Sequence, residues 1–337
     1  MISRSTILVT ALATFATLGM APASAQTAPA ADTPDAHLKL AKDAAGIDFL
    51  GTLGRLCILP ATGPGADVAP GAPPPRETWY ADPAKVFDNL YFVGGKIHSA
   101  WAFTTSDGII LIDTIYPYNS EELIVGGLQK LGLDPKQVKY VIITHGHGDH
   151  VGGAKMMQER HGSRIVMGEP DWKFVENSVN RYGQGETSVK PRRDIVAQDG
   201  QTITLGDTTV TLVFTPGHTE GTFSLFFPVK DNGKPLTVAY SGGTAFNFVN
   251  TVENFQTYIN SQRKMADMAK SLGATVVMSN HSEFDNAVNK IRMIPGRKPG
   301  EPSPFELGSD AVGRYFKVSE ECARVAQLKL QQTSKSN

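Results

Sequence analysis

The stretch KYVIITHGHGDH, residues 139–150, runs from an apolar segment straight into three histidines and an aspartate. The apolar part reads as a buried strand, and the polar part sits where loops converge at the end of a sheet. Neutral imidazole and carboxylate are good zinc ligands, and Zn²⁺ takes about four donors at roughly 2.0–2.2 Å. His145 and His147 are two residues apart, so an extended backbone turns both to one side, within reach of one metal. Gly146 and Gly148 have no Cβ, which lets the loop fold tightly and brings Asp149 and His150 round to an adjacent position. The spacing favours two metals over one. It does not suit the HExxH pattern, which needs a helix and an i, i+4 histidine pair.

Further along, two more histidines have the same setting. His218 in TPGHTEG follows the apolar run TVTLVFT (209–215), and His281 in MSNHSEF follows TVVM (275–278). Five of the eight histidines (145, 147, 150, 218 and 281) therefore lie just past apolar strands. Of the others, His161 precedes Gly162 at a helix end and suits a cation at a helix C-terminus. His37 lies in an N-terminal arm and takes no role. His98, in the turn GGKIHSAW (94–101), is ambiguous: it either borders the pocket, as loops tend to carry function, or takes no part; it stays outside the ligand set, so its replacement is expected to leave metal content unchanged.

The flanking sequence alternates strand and helix patterns. NLYFVG, SAWAFTT and GIILIDT, between residues 89 and 114, read as a meander of strands. NSEELIVGGLQKLG (119–132) reads as a helix capped by Asn119 or Ser120 and stopped by Gly132. VGGAKMMQERHG (151–162) reads as another helix, and RIVMG (164–168) as a strand. The second half repeats the grammar: QTITL, TVTLVFT, TFSLFF and LTVAYSG as strands, TVENFQTYINSQRKMADMAKSLG (251–273) as a long amphipathic helix, and TVVMS as a last strand. Two halves of this kind imply an α/β fold with two sheets face to face and helices outside, a four-layer αββα sandwich. The tail, residues 309–332, reads as a helix with Ala311, Tyr315, Val318, Cys322, Val325 and Leu328 on one face.

With 337 residues, 41% hydrophobic and 19% charged, the chain can bury a sizeable core. A formal net charge of -1 offers no field to gather nucleic acid or an anionic membrane, so neither is an expected partner. The N-terminus has Arg4, an apolar run over residues 7–20 and Ala23-Ser24-Ala25, the layout of a secretory signal peptide cleaved after Ala25. The apolar run falls short of the roughly 20 residues that cross a bilayer. The mature protein is expected to be soluble, in the periplasm or outside the cell. Residues 26–78 read as an N-terminal arm, with a short helical pattern through Leu38, Leu40, Ala41, Ala44 and Ala45 and a stretch rich in Pro, Gly and Ala over 59–75. The folded core begins near Trp79 and runs to 295, and 296–337 form a C-terminal extension whose helix packs on the core. Cys57 and Cys322 either join in an oxidising compartment or remain separate buried thiols, since spacing does not give the distance between them.

GIILIDT, THGHGDH, TPGHTEG and SNHSEF together resemble the metallo-β-lactamase superfamily over residues 79–293, and that family's fold is the αββα sandwich. The resemblance implies two zinc ions per chain, one held by His145, His147 and His218 and the other by Asp149, His150 and His281. Asp113 matches a family aspartate beneath the metal-binding loops, a supporting position. The ligand set, the export signal and the last helix are most similar to the third subclass of zinc β-lactamases. YSGGTAF, around residues 240–246, departs from the pattern: it has neither a metal-bridging aspartate, which agrees with that subclass, nor the serines that contact a β-lactam carboxylate. SGG reads equally as a tight turn and as a pocket wall. Trp101, Trp172, Tyr182, Phe246 and Phe248 are read as core more readily than as pocket lining.

The implied activity is hydrolysis of a small molecule: opening of a β-lactam amide by metal-bound hydroxide, with Asp149 as catalytic residue, orienting the nucleophile and handling its proton. The alternative is a lactonase, arylesterase or other small-molecule hydrolase on the same centre. A diiron redox centre lacks its bridging carboxylate and partner flavin domain, and a purely structural zinc site closes with four ligands, unlike this six-ligand set. SGGTA is not a GxSxG nucleophile elbow. Oligomeric state is not written in the sequence.

Overall fold

The computed structural model describes residues 32–59, 73–178 and 190–336. The expected leader (1–25), most of the 59–75 segment and Tyr182 lie outside these residues. Seven strands form one sheet in sequential order: β1 Ala84–Phe87, β2 Leu90–Phe92, β3 Trp101–Thr105, β4 Gly108–Ile112, β5 Val138–Ile142, β6 Arg164–Gly168 and β7 Ile195–Ala197. Their pairing is antiparallel up to β4 and parallel from β4 to β7. Five more form a second sheet: β8 Thr202–Leu205, β9 Thr208–Phe214, β10 Phe223–Asp231, β11 Lys234–Ser241 and β12 Val276–Ser279. Its order is β12, β11, β10, β9, β8, with only β11 and β12 parallel. The short edge strands β1 and β7 have no counterpart in the sequence reading, because a few residues at a sheet edge carry little periodic signal.

The two sheets face each other across a buried layer that mixes Phe92, Trp101, Phe103 and Ile112 of the first with Leu225, Phe227, Val238 and Tyr240 of the second. Phe103 and Phe227 meet edge to face at 4.4 Å, the favoured geometry for an aromatic pair. Beneath the first sheet's other face, Leu123, Leu128, Met157, Trp172 and Val175 come from helices packed on it. The second sheet is covered by the helices Val252–Ser271 and Ser309–Ser336. This is the four-layer αββα sandwich. Trp101 and Trp172 are fully buried, and Phe246 and Phe248 pack on Phe255 and Tyr258, so these aromatics belong to the core.

Local sequence accounts for most helix ends. Thr251 accepts the Asn254 N–H at 3.1 Å and starts the long helix. Phe255, Tyr258, Ile259, Gln262, Met265 and Ala269 form its buried stripe. The expected cap at residues 119–120 is absent: the segment opens as a wide π turn, Glu121–Val125, with no side-chain cap. All six apolar residues expected on one face of the last helix are buried. No described helix is long and apolar enough to cross a membrane.

The N-terminal region holds the expected short helix but packs into the core rather than forming an arm ahead of it. Pro34–Ala45 is a helix, and Ala41, Ala44, Ala45, Phe49 and Leu56 are buried with the C-terminal helix rather than lying ahead of a core that starts at Trp79. An alanine-rich stripe is weakly hydrophobic by itself and becomes core only against its partner. His37 contacts Glu321, and Arg314 bonds Asp48 at 2.5 Å across the same seam. Cys57 and Cys322 are joined in a disulfide, their Cα atoms 5.0 Å apart and 265 residues apart in sequence. A cross-link closing so long a loop restricts the unfolded chain by an amount worth about 3–5 kcal/mol. The double variant C57S/C322S should lose stability of that order in chemical denaturation; an unchanged midpoint would show that the seam alone holds the terminal helices.

Candidate metal centre

The histidines converge because the strands that carry them end on one edge of the sandwich. β4 and β5 run parallel in one sheet; β9, β11 and β12 run in a common direction in the other. Beyond β5 the chain passes through Thr144–His147 into a short helix, Gly148–Val151. Thr144 O accepts the Phe223 N–H at 2.8 Å, which ties this loop to the start of β10.

Three donors form a first cluster. His145 Nε2 lies 3.0 Å from His218 Nε2, and His147 Nδ1 lies 3.1 Å from the same atom. His145 Nδ1 donates to Gly242 O at 3.0 Å and His218 Nδ1 to Ala245 O at 2.8 Å. Carbonyl acceptors require the proton on Nδ1, so the two Nε2 atoms face each other with bare lone pairs. Burial holds both rings neutral, that of His218 at a pKa of about 4 and that of His145 well below its ordinary value. Facing lone pairs repel unless a cation sits between them. Tetrahedral zinc with bonds of about 2.0–2.1 Å sets its donors about 3.3 Å apart, close to the spacing here. The donor set therefore fits a zinc ion.

A second cluster adjoins it. His150 Nε2 lies 3.2 Å from His281 Nε2, and Asp149 Oδ2 is 3.3 Å from the first and 3.5 Å from the second. Burial disfavours a charge on His150, yet the Asp149 and Asp113 carboxylates outweigh it and hold its pKa up at about 10. A dication at this point would supply the positive charge that the proton otherwise supplies. Burial pushes the Asp149 carboxyl up, but His150 and the other rings hold it well below the ordinary range, so it presents an anionic ligand.

Asp113 supports these residues from beneath. It is fully buried, with Oδ1 accepting from Thr144 N at 2.7 Å and Oδ2 from Thr144 Oγ1 at 2.8 Å and His150 Nδ1 at 2.9 Å. Its φ is +58°, and β-branched Ile115 has φ +50°. Such conformations are costly and persist where the surroundings enforce them.

The SGG element combines a bend with a supporting wall. A Cβ on Gly242 would meet Phe223 O at 1.7 Å, so only glycine fits. That close approach delivers the Gly242 carbonyl to both His145 Nδ1 and Asn280 Nδ2, the latter at 2.7 Å.

Two supporting groups, Asp171 and Asn280, escape the sequence reading, and a third, His98, is ambiguous in it. Asp171, buried in the helix Glu169–Asn177, accepts Thr219 Oγ1 at 2.8 Å and the N–H groups of Gly146 and Gly221. It thus ties together the two loops that carry the first cluster, and burial raises its carboxyl to about 7. Asn280 is hidden beside a histidine. His98, set aside above, lies with Nε2 3.4 Å from Asp149 Oδ2 and its ring 5.0 Å from that of His281. Only its position between two glycines and a strand hinted at this. His161 ends the helix Ala154–His161, where burial favours its neutral form over the expected cation.

Residues 93–278 match the model of the metallo-beta-lactamase superfamily. The chain is 33% identical over 203 residues to a hydroxyacylglutathione hydrolase of Acidiphilium cryptum, spanning 57% of this chain and 77% of that protein. It is 32% identical over 134 residues to the N-acyl homoserine lactonase AttM of Agrobacterium fabrum, spanning 37% of this chain. It covers about half the length of the first curated relatives, 49% of that lactonase and 55% of a beta-lactamase-like protein 2 homolog of Caenorhabditis elegans. Among solved structures, BJP-1, a subclass B3 metallo-beta-lactamase of Bradyrhizobium japonicum, superposes with a TM-score of 0.60 at 26% identity, over 76% of this chain and 97% of that one. FEZ-1 of Legionella gormanii shares the fold at 21% identity, with a TM-score of 0.64 over 75% of this chain and 97% of that one. With that family match over more than half its length, the chain belongs to the metallo-β-lactamase superfamily.

Proposed function

We propose that this chain is an exported dizinc hydrolase that opens the amide of a β-lactam. The observation that carries the reading is the pair of adjoining donor clusters, His145/His147/His218 and Asp149/His150/His281, in a chain whose stretch YSGGTAF (240–246) has no metal-bridging aspartate. The likeness to BJP-1 over 97% of that protein supports the same subclass. Export is supported by the leader-like residues 1–25 and by the Cys57–Cys322 disulfide, which persists in oxidising compartments.

Bound zinc would supply Lewis acidity toward a carbonyl oxygen and lower the pKa of water from about 15.7 toward 7. The chain's own residues do the rest. Gly242 and Ala245 hold the protons of His145 and His218 on the outer nitrogens, so the inner ones stay free to donate. Asp113 fixes His150 in the same sense. Asp149 both ligates and faces the reacting space, so it orients the attacking water and takes up its proton.

A second reading, hydrolysis of a lactone or ester, is favoured by a stretch YSGGTAF (240–246) that lacks the serines expected to contact a β-lactam carboxylate and by the lactonase relative. The zinc-loaded protein assayed with a chromogenic cephalosporin, a carbapenem, lactones and aryl esters separates the two. Chelator-sensitive lactam turnover at kcat/KM of about 10⁴ M⁻¹s⁻¹ or more is expected. Turnover of the esters alone moves the substrate to the second reading.

His145→Ala and His218→Ala should each strip most zinc from the first site and nearly all hydrolysis; near-wild-type activity in either would sink the ligand assignment. The supports act differentially. Asp113→Ala leaves buried donors unpaired and should cost about 3 kcal/mol or more in stability, with second-site zinc bound about 10–100-fold more weakly. Asp171→Ala should weaken the first site instead, and metal titration of the two variants reads the difference.

A further inference from the structure

His98 is held where a ligand would have to be. An antiparallel bridge pairs its backbone with that of His281. Ser99 N–H bonds Asn280 O at 2.8 Å on one side, and Ser282 N–H bonds Ile97 O at 2.7 Å on the other. Gly95 N–H closes the turn onto His98 O at 2.8 Å. The ring stands edge-on to Tyr116, centroids 4.9 Å apart, so both backbone and side chain are constrained. Its Nε2 lies 3.4 Å from Asp149 Oδ2, beside the His150 and His281 nitrogens at 3.3 and 3.5 Å from the same oxygen. Three imidazole nitrogens thus ring one carboxylate oxygen at the edge length of a zinc tetrahedron, about 3.3 Å. The donor atoms of His98, Asp149 and His281 all lie within 4.8 Å of one another.

We propose that His98 is a fourth protein donor to the second metal, completing a set of His98, Asp149, His150 and His281. The inference rests on the two-metal reading above and reverses the expectation that replacing His98 leaves metal content unchanged. A site with four protein donors is closed, as structural zinc sites are, whereas a site with three keeps a position open for water or substrate. The two sites then differ in kind. The second is a saturated anchor, and the three histidines of the first leave that site a position open to water or substrate.

The test is a Co²⁺ titration of the metal-free full chain, followed by visible absorption and by chelator competition, for the wild type, His98→Ala and His98→Gln. Two equivalents should bind to the wild type, the second giving the intense band of four-coordinate Co²⁺. Both variants should keep the first equivalent and bind the second at least about tenfold more weakly, the size of effect that loss of a mere supporting partner already reaches, with a weaker band. A second equivalent bound as tightly by His98→Gln as by the wild type would overturn the proposal, because glutamine is a polar side chain able to donate to Asp149 but a poor ligand. Should His98→Ala fail to fold, the imidazole ¹⁵N resonances of the wild type decide: His98 Nε2 must shift as the second equivalent enters, and an unmoved resonance overturns the assignment. A wild type that binds only one equivalent overturns the two-metal reading itself, and the inference with it.

Discussion

Everything at the sandwich edge follows from one electrostatic constraint. Imidazole lone pairs face each other about 3 Å apart in a cluster where burial keeps His145 and His218 neutral. No arrangement of protons satisfies both ends of such rings, because their outer nitrogens are already committed to donating to backbone carbonyls. A cation resolves the conflict. The structure is therefore organised less to form contacts among these side chains than to hold them slightly apart.

Rigidity comes from the layers behind. Each donor leaves the end of a strand buried between the sheets, and the supports tie neighbouring loops to one another. Asp113 links the end of β4 to Thr144 and His150. Asp171 links the loop after β5 to the loop after β9, and the Gly242 carbonyl serves His145 and Asn280 together. The positive φ values of Asp113 and Ile115 sit within this framework, where surrounding hydrogen bonds offset their cost.

The terminal helices do a different job. They cover the outer face of the second sheet, joined by the disulfide and by polar contacts across their seam. The helix Val252–Ser271, packed beneath them, bonds Pro216 O through Ser261 Oγ at 2.6 Å, and Tyr258 OH bonds Thr244 O at 2.8 Å. Both bonded carbonyls flank groups that position His218. Stability at the termini and order at the metal centre are thus connected through one helix.

Much of this was legible in linear form. An apolar strand followed by HxHxDH, and two further strand-end histidines, pointed to a cluster of residues able to ligate metal, because periodicity marks strands and ligand chemistry marks residue types, and both are local properties. The alternation of elements likewise implied the αββα layers. What only the tertiary structure decided were relations between residues distant in sequence. His98 joins Asp149 because a backbone bridge aligns it with His281, just as Ser99 meets Ser282 183 residues further along the chain. Asp171 and Asn280 look like ordinary polar residues until the fold buries them against the histidine loops. The alanine stripe of Pro34–Ala45 carries too little hydrophobicity to declare itself core until the C-terminal helix lies against it. Residue types set which chemistry was possible, and packing set which atoms came within reach of it.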